Sequence, residues 1–205
     1  YTNRLGSYDC LEYLSSMKPL NLTLPQNYIL FFGHFSPYKG IDVLCKAMTK
    51  VHKSHPEVKC IIAGNGNLNF DITPYQNLDY IILKNEFIET DHLAALISRS
   101  LFTVCPYKDA TQSGVVSSSF ALNKPVIATR VGGLPEAVTD GEKGLIAEPN
   151  DVNSLTEKIQ YLLDNPLVIK EIELNIKNDN AKPEHSWDVI ADKYIKVYKT
   201  LKNNI

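Results

Sequence analysis

The chain alternates short apolar runs with longer segments in which apolar residues recur every three or four positions. Short runs rich in β-branched residues predict strands, and the longer spacing predicts amphipathic helices. In the segment 41–52, for example, Leu44, Met48 and Val51 fall on one helical face. The pattern predicts strands at 29–33, 58–63, 80–83, 101–105, 125–128 and 145–147, and helices at 41–52, 91–98 with Thr90 as cap, 114–122 and 134–138.

Most of the predicted strands are apolar throughout rather than alternating, which indicates burial on both faces. Their alternation with helices favours parallel pairing through right-handed crossovers. The sequence therefore predicts an α/β fold with a single Rossmann-like, doubly wound parallel sheet of about six strands. C-terminal helices complete it: one begins at Asn150-Asp151, a charged segment follows at 178–184, and a last amphipathic helix covers 186–201.

Residues 1–27 differ from the rest because they lack clean periodicity, and the stretch from Pro19 to Pro25 is typical of a linker. We interpret this segment as a linker or as the remnant of a connection from an upstream domain. Residues 28–202 then form one domain, which agrees with a chain of 205 residues that is 44% apolar.

Composition excludes several classes of function. The net charge is -2 and the basic residues are scattered, so a nucleic-acid partner is not expected. Apolar runs fall short of the about 20 residues that cross a bilayer. The cysteines are far apart and favour buried free thiols. No metal site or Ser-His-Asp arrangement can be assembled from the histidines, and four of these are interpreted as surface residues: His52, His55, His92 and His185.

Candidate chemistry lies in the loops after the strands, because ligands of open parallel sheets bind at the carboxyl ends. After the first predicted strand, Lys39 and a protonated His34 could neutralise a phosphate, and Gly33 would let the backbone approach it. For Lys39 the alternative is an exposed lysine that starts a helix. The turn Gly64-Asn65-Gly66 lacks the third glycine of the dinucleotide fingerprint, which argues against an NAD-dependent oxidoreductase.

A second polar loop follows the fourth predicted strand and leads into a helix at Gly114. Unpaired N–H groups and the positive end of the helix dipole converge at such a junction, which suits an anion such as a diphosphate. Ser113 could instead be a plain N-cap. The groups that we expect to face a ligand are the side chains of Thr111, Gln112 and Ser113 and the amides of Ser113, Gly114 and Val115.

Six segments in order resemble the C-terminal half of the family-4 glycosyltransferases, which are retaining enzymes of the GT-B fold. The resemblance covers about residues 29–201. The segments are FFGHFSPYKGIDVL, IIAGNGN, LKNEFIETDHLAAL, VCPYKDATQSGVV, KPVIATRVGGLPEAVTDGEKGLIAEPND and HSWDVIADKYIKVYKTL.

The resemblance implies a donor site for a nucleotide sugar. Lys39 aligns with the diphosphate-binding lysine, and His34 stands where the family usually has an arginine, so both are the expected catalytic residues. The stretch Asn85-Glu86-Phe87 resembles the loop that reads the base through its main chain. The family's Glu-x7-Glu motif is missing, and a Thr-Gln-Ser-Gly loop takes its place, with Asp109 as a candidate substitute for the first carboxylate.

By the same resemblance, the expected function is transfer of a sugar from a nucleotide diphosphate to a carbohydrate or lipid-linked acceptor in polysaccharide or glycoconjugate synthesis. It implies no metal or other cofactor, a cytoplasmic location that extends to the membrane surface for lipid-linked acceptors, and an N-terminal domain that holds the acceptor. Trp187, Tyr194 and Tyr198 are expected to form an apolar face toward that domain, or to pack in the core. The alternative function is a non-catalytic scaffold or regulatory module with the same fold.

Overall fold

The computed structural model describes residues 9–16, 22–183 and 186–202, and a six-stranded parallel sheet forms its centre. The strands are β1 (Tyr28–Phe32), β2 (Lys59–Gly64), β3 (Ile81–Asn85), β4 (Thr103–Cys105), β5 (Val126–Thr129) and β6 (Gly144–Ala147). They lie in the order β3-β2-β1-β4-β5-β6. This confirms the predicted doubly wound α/β sheet.

Helices connect and flank these strands. They are α1 (Asp9–Ser16), α2 (Ile41–Val51), α3 (Thr90–Arg99), α4 (Gly114–Ala121), α5 (Leu134–Val138), α6 (Val152–Asp164), α7 (Pro166–Asn180) and α8 (Trp187–Lys202). Helix α2 packs with α6, whereas α1 packs with α3 and α4, and α4 packs with α7. The chain therefore forms a layered α/β domain in which the predicted elements differ from the observed ones mainly by one or two residues at their ends.

The core lies in the strands themselves. Every residue of β1 is buried, and Ile29, Ile61 and Ile127 have no exposed surface. The edge strand β3 is partly exposed, whereas β6 at the opposite edge of the sheet is buried. Burial of apolar strands on both faces is the reason that the hydrophobic pattern predicted the sheet correctly.

Part of the segment interpreted as a linker is helical, since α1 falls within residues 1–27. Leu11 is buried, and Leu14, one helical turn later, packs against the core. Two leucines three residues apart share one face of even a short helix, and tertiary packing stabilises it where periodicity is too brief to predict it. Residues 22–27 lead from there into β1, and the part of the predicted linker at 17–21 lies outside the described residues.

The long helical segment after the sheet consists of two helices. Asp151 caps α6 as its position suggested, because its carboxylate accepts hydrogen bonds from the amides of Asn153 and Ser154. The break comes at Asn165 and Pro166, where proline occupies the start of α7. The Asn-Pro pair is the signal in the sequence that separates α6 from α7.

The predicted cap of α3 was wrong by one residue. Thr90 is the first residue of the helix, and Glu89 occupies the N-cap position without a side-chain capping bond. The last helix, α8, lies within one residue of its predicted bounds.

Candidate functional site

The candidate site lies at the carboxyl ends of β1 and β4, which are neighbours in the sheet although they are distant in sequence. The chain leaves them toward different helices, and such a switch point opens a crevice at the sheet edge. The predicted residues Gly33 and Val115 meet here, because a Cβ on Gly33 would lie 3.4 Å from Cγ2 of Val115. The loop after β1 and the start of α4 therefore adjoin.

Backbone hydrogen bonds fix the loop after β1. The amide of Gly33 donates to the carbonyl of Ala63 (3.0 Å), and the amide of Phe35 donates to the carbonyl of Asn65 (2.7 Å). Phe35 is buried and its ring contacts that of Phe31, whereas His34 is exposed. A buried phenylalanine thus anchors the loop and leaves the imidazole of His34 accessible to a ligand.

Lys39 ends a short 3₁₀ turn at Pro37–Lys39, directly before the left-handed Gly40. A Cβ on Gly40 would lie 1.8 Å from the carbonyl oxygen of Pro106, so only glycine lets the turn pack this tightly against the end of β4. The ammonium of Lys39 lies 3.9 Å from the ring centroid of Tyr107 and 5.2 Å from that of Tyr38. It is therefore held over aromatic faces at the crevice.

The electrostatic surroundings of Lys39 differ from those of Lys108. The Nζ of Lys108 forms an ion pair with Asp42, at 2.8 Å from Oδ1. Among the described residues no carboxylate lies within 4.0 Å of the Lys39 ammonium. Lys39 is therefore the lysine of this pair whose charge is available to an anionic ligand.

The loop after β4 rests on the glycine turn after β5. A Cβ on Gly132, whose φ is +48°, would lie 1.5 Å from the carbonyl oxygen of Ala110. The amide of Gly133 donates to the carbonyl of Thr111 at 3.2 Å. These backbone contacts hold the loop in place. The predicted donor-binding residues Thr111 and Gln112 are exposed to solvent.

Ser113 does not act as a plain N-cap. It occupies the N-cap position of α4 with extended backbone, but its side chain makes no capping bond. Its hydroxyl instead lies 3.2 Å from the phenol oxygen of Tyr107. The first amides of α4, from Gly114 onward, have no partner inside the helix and carry the positive end of its dipole. This helix start can therefore receive an anion.

The predicted base-reading stretch contacts the turn after β2, and this turn itself contacts the loop after β1. The amide of Glu86 donates to the carbonyl of Gly64 (2.8 Å), and Nδ2 of Asn85 donates to the carbonyl of Gly66 (3.3 Å). A Cβ on Gly66 would lie 2.9 Å from Cε1 of His34. The Glu86 amide is thus used inside the protein, and recognition of a base here would depend on other groups, including the highly exposed Phe87.

Asp109 is exposed in the loop after β4. It directly precedes Ala110, whose carbonyl contacts the Gly132 turn. Its role as a substitute carboxylate stays a prediction.

Tyr107 was not singled out by the sequence pattern, although it touches both halves of the site. Its ring underlies Lys39, its hydroxyl contacts Ser113, and its carbonyl accepts a hydrogen bond from Thr129 Oγ1 at 2.5 Å. Burial raises the pKa of the Tyr107 phenol, which keeps it neutral. The available signal was an aromatic residue placed just beyond a strand, at the binding edge of the sheet.

The prediction that the cysteines are buried free thiols is correct for three of the four. Cys45, Cys60 and Cys105 are buried free thiols, but Cys10 is exposed on α1. Burial raises the pKa of Cys105 to about 12, against a hydrogen bond with Tyr107 that lowers it. These buried thiols are therefore protonated and unreactive near neutral pH.

Of the four histidines interpreted as surface residues, His52, His55 and His92 are half-buried. The ring of His52 stacks on Tyr80 with centroids 4.0 Å apart, and its Nδ1 is buried without a hydrogen-bond partner. The half-buried His55 lies near Asp164 (3.3 Å) and Glu57 (3.8 Å). His185 lies outside the described residues. Packing of an aromatic pair, which periodicity does not reveal, accounts for the position of His52.

Neither a metal cluster nor a membrane span occurs in the part of the chain that the structure describes. No group of three or more His, Cys, Asp and Glu side chains there could hold a metal ion. No described helix combines the length and apolar character that a bilayer crossing requires.

Solved structures share this fold. Sucrose-phosphate synthase from Thermosynechococcus elongatus superposes with a TM-score of 0.80 at 24% identity, over 98% of this chain and 52% of its own. Anabaena Alr3699/HepE, solved in complex with UDP, superposes with a TM-score of 0.75 at 18% identity, over 85% of this chain and 49% of its own. This chain therefore shares its fold with about half of each of these longer chains.

Sequence comparison agrees. The uncharacterized glycosyltransferase MJ1178 of Methanocaldococcus jannaschii is 34% identical over 185 residues, which cover 86% of this chain and 49% of that protein. The chain thus spans about half the length of the relatives that it matches. The family model for "Glycosyl transferases group 1" matches residues 26–165, from before β1 to the end of α6. On this match the chain belongs to the group 1 glycosyl transferases.

Proposed function

We propose that this chain is the donor-binding part of a glycosyltransferase that moves a sugar from a nucleotide diphosphate to an acceptor with retention of configuration. One observation carries the proposal. The ammonium of Lys39, the backbone at Gly33 and the free amides at the start of α4 converge on one crevice. A cation, a close backbone and a helix N-terminus together form a site for a diphosphate.

The same groups suit the chemistry of transfer. When the bond between the sugar and the diphosphate breaks, negative charge grows on the leaving phosphate oxygens. Lys39 and the amides of Ser113 and Gly114 are fixed before the reaction, so they stabilise this charge without reorganising. His34, exposed at the same crevice, adds a positive charge when it is protonated.

A nucleotide ligand is supported by fold likeness as well as by local geometry. Anabaena Alr3699/HepE, which has the same fold over 85% of this chain, is solved with UDP bound. In the proposed arrangement the diphosphate lies at Lys39 and α4, and the nucleoside extends toward Asn85, Glu86 and Phe87. Thr111, Gln112 and Asp109 then face the donor sugar.

The acceptor belongs, in this proposal, to a second domain upstream of the described one. Helix α8 offers a surface for it, since an apolar stripe recurs at helical spacing and remains exposed. Ile190, beside the stripe, is buried. The stripe consists of Trp187, Tyr194, Tyr198 and Leu201. Carbohydrate or lipid-linked acceptors and a cytoplasmic location at the membrane surface form part of the same proposal.

Calorimetric titration tests the function. The chain is titrated with UDP, GDP and ADP, and with the corresponding nucleosides as matched controls that lack the diphosphate. We expect at least one diphosphate to bind, and its nucleoside to bind at least about 10-fold more weakly, because charged hydrogen bonds contribute most of the affinity. Failure of a folded chain to bind any diphosphate would contradict the proposal and favour a non-catalytic scaffold.

A further inference from the structure

One buried tyrosine contacts the two groups on which the proposed diphosphate site depends. The ring of Tyr107 lies 3.9 Å from the ammonium of Lys39, and its hydroxyl lies 3.2 Å from that of Ser113. Lys39 comes from the loop after β1 and Ser113 from the start of α4. We propose that Tyr107 is a positioning residue that holds both groups in the arrangement that binds the diphosphate. This inference rests on the function proposed above.

The ring of Tyr107 is itself fixed. Only 1% of the residue is exposed, and its carbonyl is held by Thr129 Oγ1 at 2.5 Å. The ring of Tyr38 meets it edge to face, with centroids 6.1 Å apart. The lysine ammonium is attracted to the nearer aromatic face, which limits the many conformations that a free lysine would sample. A rigid ring thus presets the position of a flexible cation.

The hydroxyl of Tyr107 positions the side chain of Ser113. Burial raises the pKa of this phenol, so it remains a neutral hydroxyl. The hydroxyls of Tyr107 and Ser113 lie 3.2 Å apart and either can be the donor, so their hydrogen bond fixes the position of the serine Oγ for contact with a ligand. Ser113 is free for this role because its side chain makes no capping bond to α4.

A double-mutant cycle tests the hydroxyl. Tyr107→Phe and Ser113→Ala are titrated with whichever of UDP, GDP and ADP binds the unaltered chain most tightly. We expect each variant to bind about 5-fold more weakly, and the double variant to bind no more weakly than the weaker single one, because both changes remove the same hydrogen bond. Independent, multiplying losses in the double variant would overturn the inference.

A second cycle tests the ring. Tyr107→Leu removes both the hydroxyl and the aromatic face, so we expect it to bind about 3-fold more weakly still than Tyr107→Phe. In a Lys39→Ala background this further loss should disappear, since no cation remains to be placed. A merely structural role for the ring would leave the further loss unchanged in that background, which contradicts the proposal.

Tyr28→Phe is the matched control. Tyr28 is also 1% exposed, and its hydroxyl donates to the carbonyl of Leu96 at 2.7 Å, at the opposite end of β1 from the site. We expect this variant to lose stability in thermal unfolding and to keep the affinity of the unaltered chain. Circular dichroism confirms that every variant is folded before titration.

The outcomes separate the two proposals. If the unaltered chain binds none of the diphosphates, the proposed function fails and this inference fails with it. If the unaltered chain binds but Tyr107→Phe binds equally well, only the positioning role of Tyr107 is overturned.

Discussion

At the scale of single residues, the ionic partners of a lysine decide what it can do. Lys108 and Lys39 both lie at the carboxyl edge of the sheet, but Lys108 is paired with Asp42 and Lys39 is stacked on aromatic rings. An aromatic face attracts a cation without cancelling its net charge, whereas a carboxylate neutralises it. Lys39 is therefore the residue to which an incoming diphosphate would be drawn.

We predict that Lys39→Ala weakens binding of the nucleoside diphosphate about 10- to 100-fold, the loss expected for a hydrogen bond to a charged group. The melting temperature should change little because Lys39 makes no ion pair within the described residues. Titration and thermal unfolding of the same sample measure the two quantities.

Lys108→Ala provides the comparison for that experiment. It breaks the ion pair with Asp42 and should cost up to about 1 kcal/mol of the free energy of unfolding, while the affinity stays close to that of the unaltered chain. A large loss of stability with unaltered affinity in Lys39→Ala would make Lys39 a structural residue.

At the scale of elements, the site exists because three loops approach each other's backbone closely. Gly40 packs on the carbonyl of Pro106, Gly132 packs on that of Ala110, and Gly64 packs on that of Gly33. Each contact joins a loop to an element distant in sequence. Glycine at these points therefore sets the width of the crevice as well as the local turn.

We predict that Gly132→Ala disrupts the loop after β4. A residue with φ of +48° strains any side chain, and the new Cβ would lie 1.5 Å from the Ala110 carbonyl oxygen. Strain of about 1–2 kcal/mol and overpacking of about 1–3 kcal/mol should lower the free energy of unfolding together. Diphosphate binding should weaken as well, because Thr111 and Ser113 lose their support.

Gly141→Ala separates the effect of backbone strain from the effect of the steric clash. Gly141 also has a positive φ, of +81°, but a Cβ there would meet nothing within 4 Å. It should cost only the strain, about 1–2 kcal/mol in chemical unfolding, and leave binding unchanged. Equal effects of the two substitutions would show that the contact between Gly132 and Ala110 is unimportant.

At the scale of the whole molecule, the described domain has a complete core but one face that suits a partner. The sheet is buried between helices, whereas α8 leaves Trp187, Tyr194 and Tyr198 half exposed or more. The relatives that it matches are about twice as long as this chain. These features agree with the proposal that this chain is the donor-binding part of a longer protein.

We predict that the 205-residue chain alone binds a nucleoside diphosphate but does not transfer sugar from the corresponding nucleotide sugar. In the proposed function the residues of its crevice hold the donor, and none of the described residues is assigned to the acceptor. NMR of the donor anomeric proton over time, with candidate acceptors present, measures turnover. Retained transfer by this chain alone would show that it contains a complete active site.

Much of the fold could be predicted from local pattern. The strands are apolar because both of their faces are buried, so short runs such as residues 58–63 identified β2 almost to its ends. Helix α1 could not be predicted, since two leucines in eight residues form a helix only when α3 and α4 are there to cover them. Helix α7 was missed as a separate element, although Asn165-Pro166 marked its start.

The sequence by itself determined the layered sheet, its parallel strands and the loops in which polar and glycine residues gather, because these follow from short-range periodicity and turn chemistry. Only the tertiary structure decided which of those residues meet. Tyr107 lies under Lys39 and against Ser113, and His52 lies against Tyr80, because β1 and β4 are neighbours and the helices fold back on the sheet. The contacts of Tyr107 with Lys39 and of His52 with Tyr80 join residues far apart in the chain, and no local pattern encodes their distances.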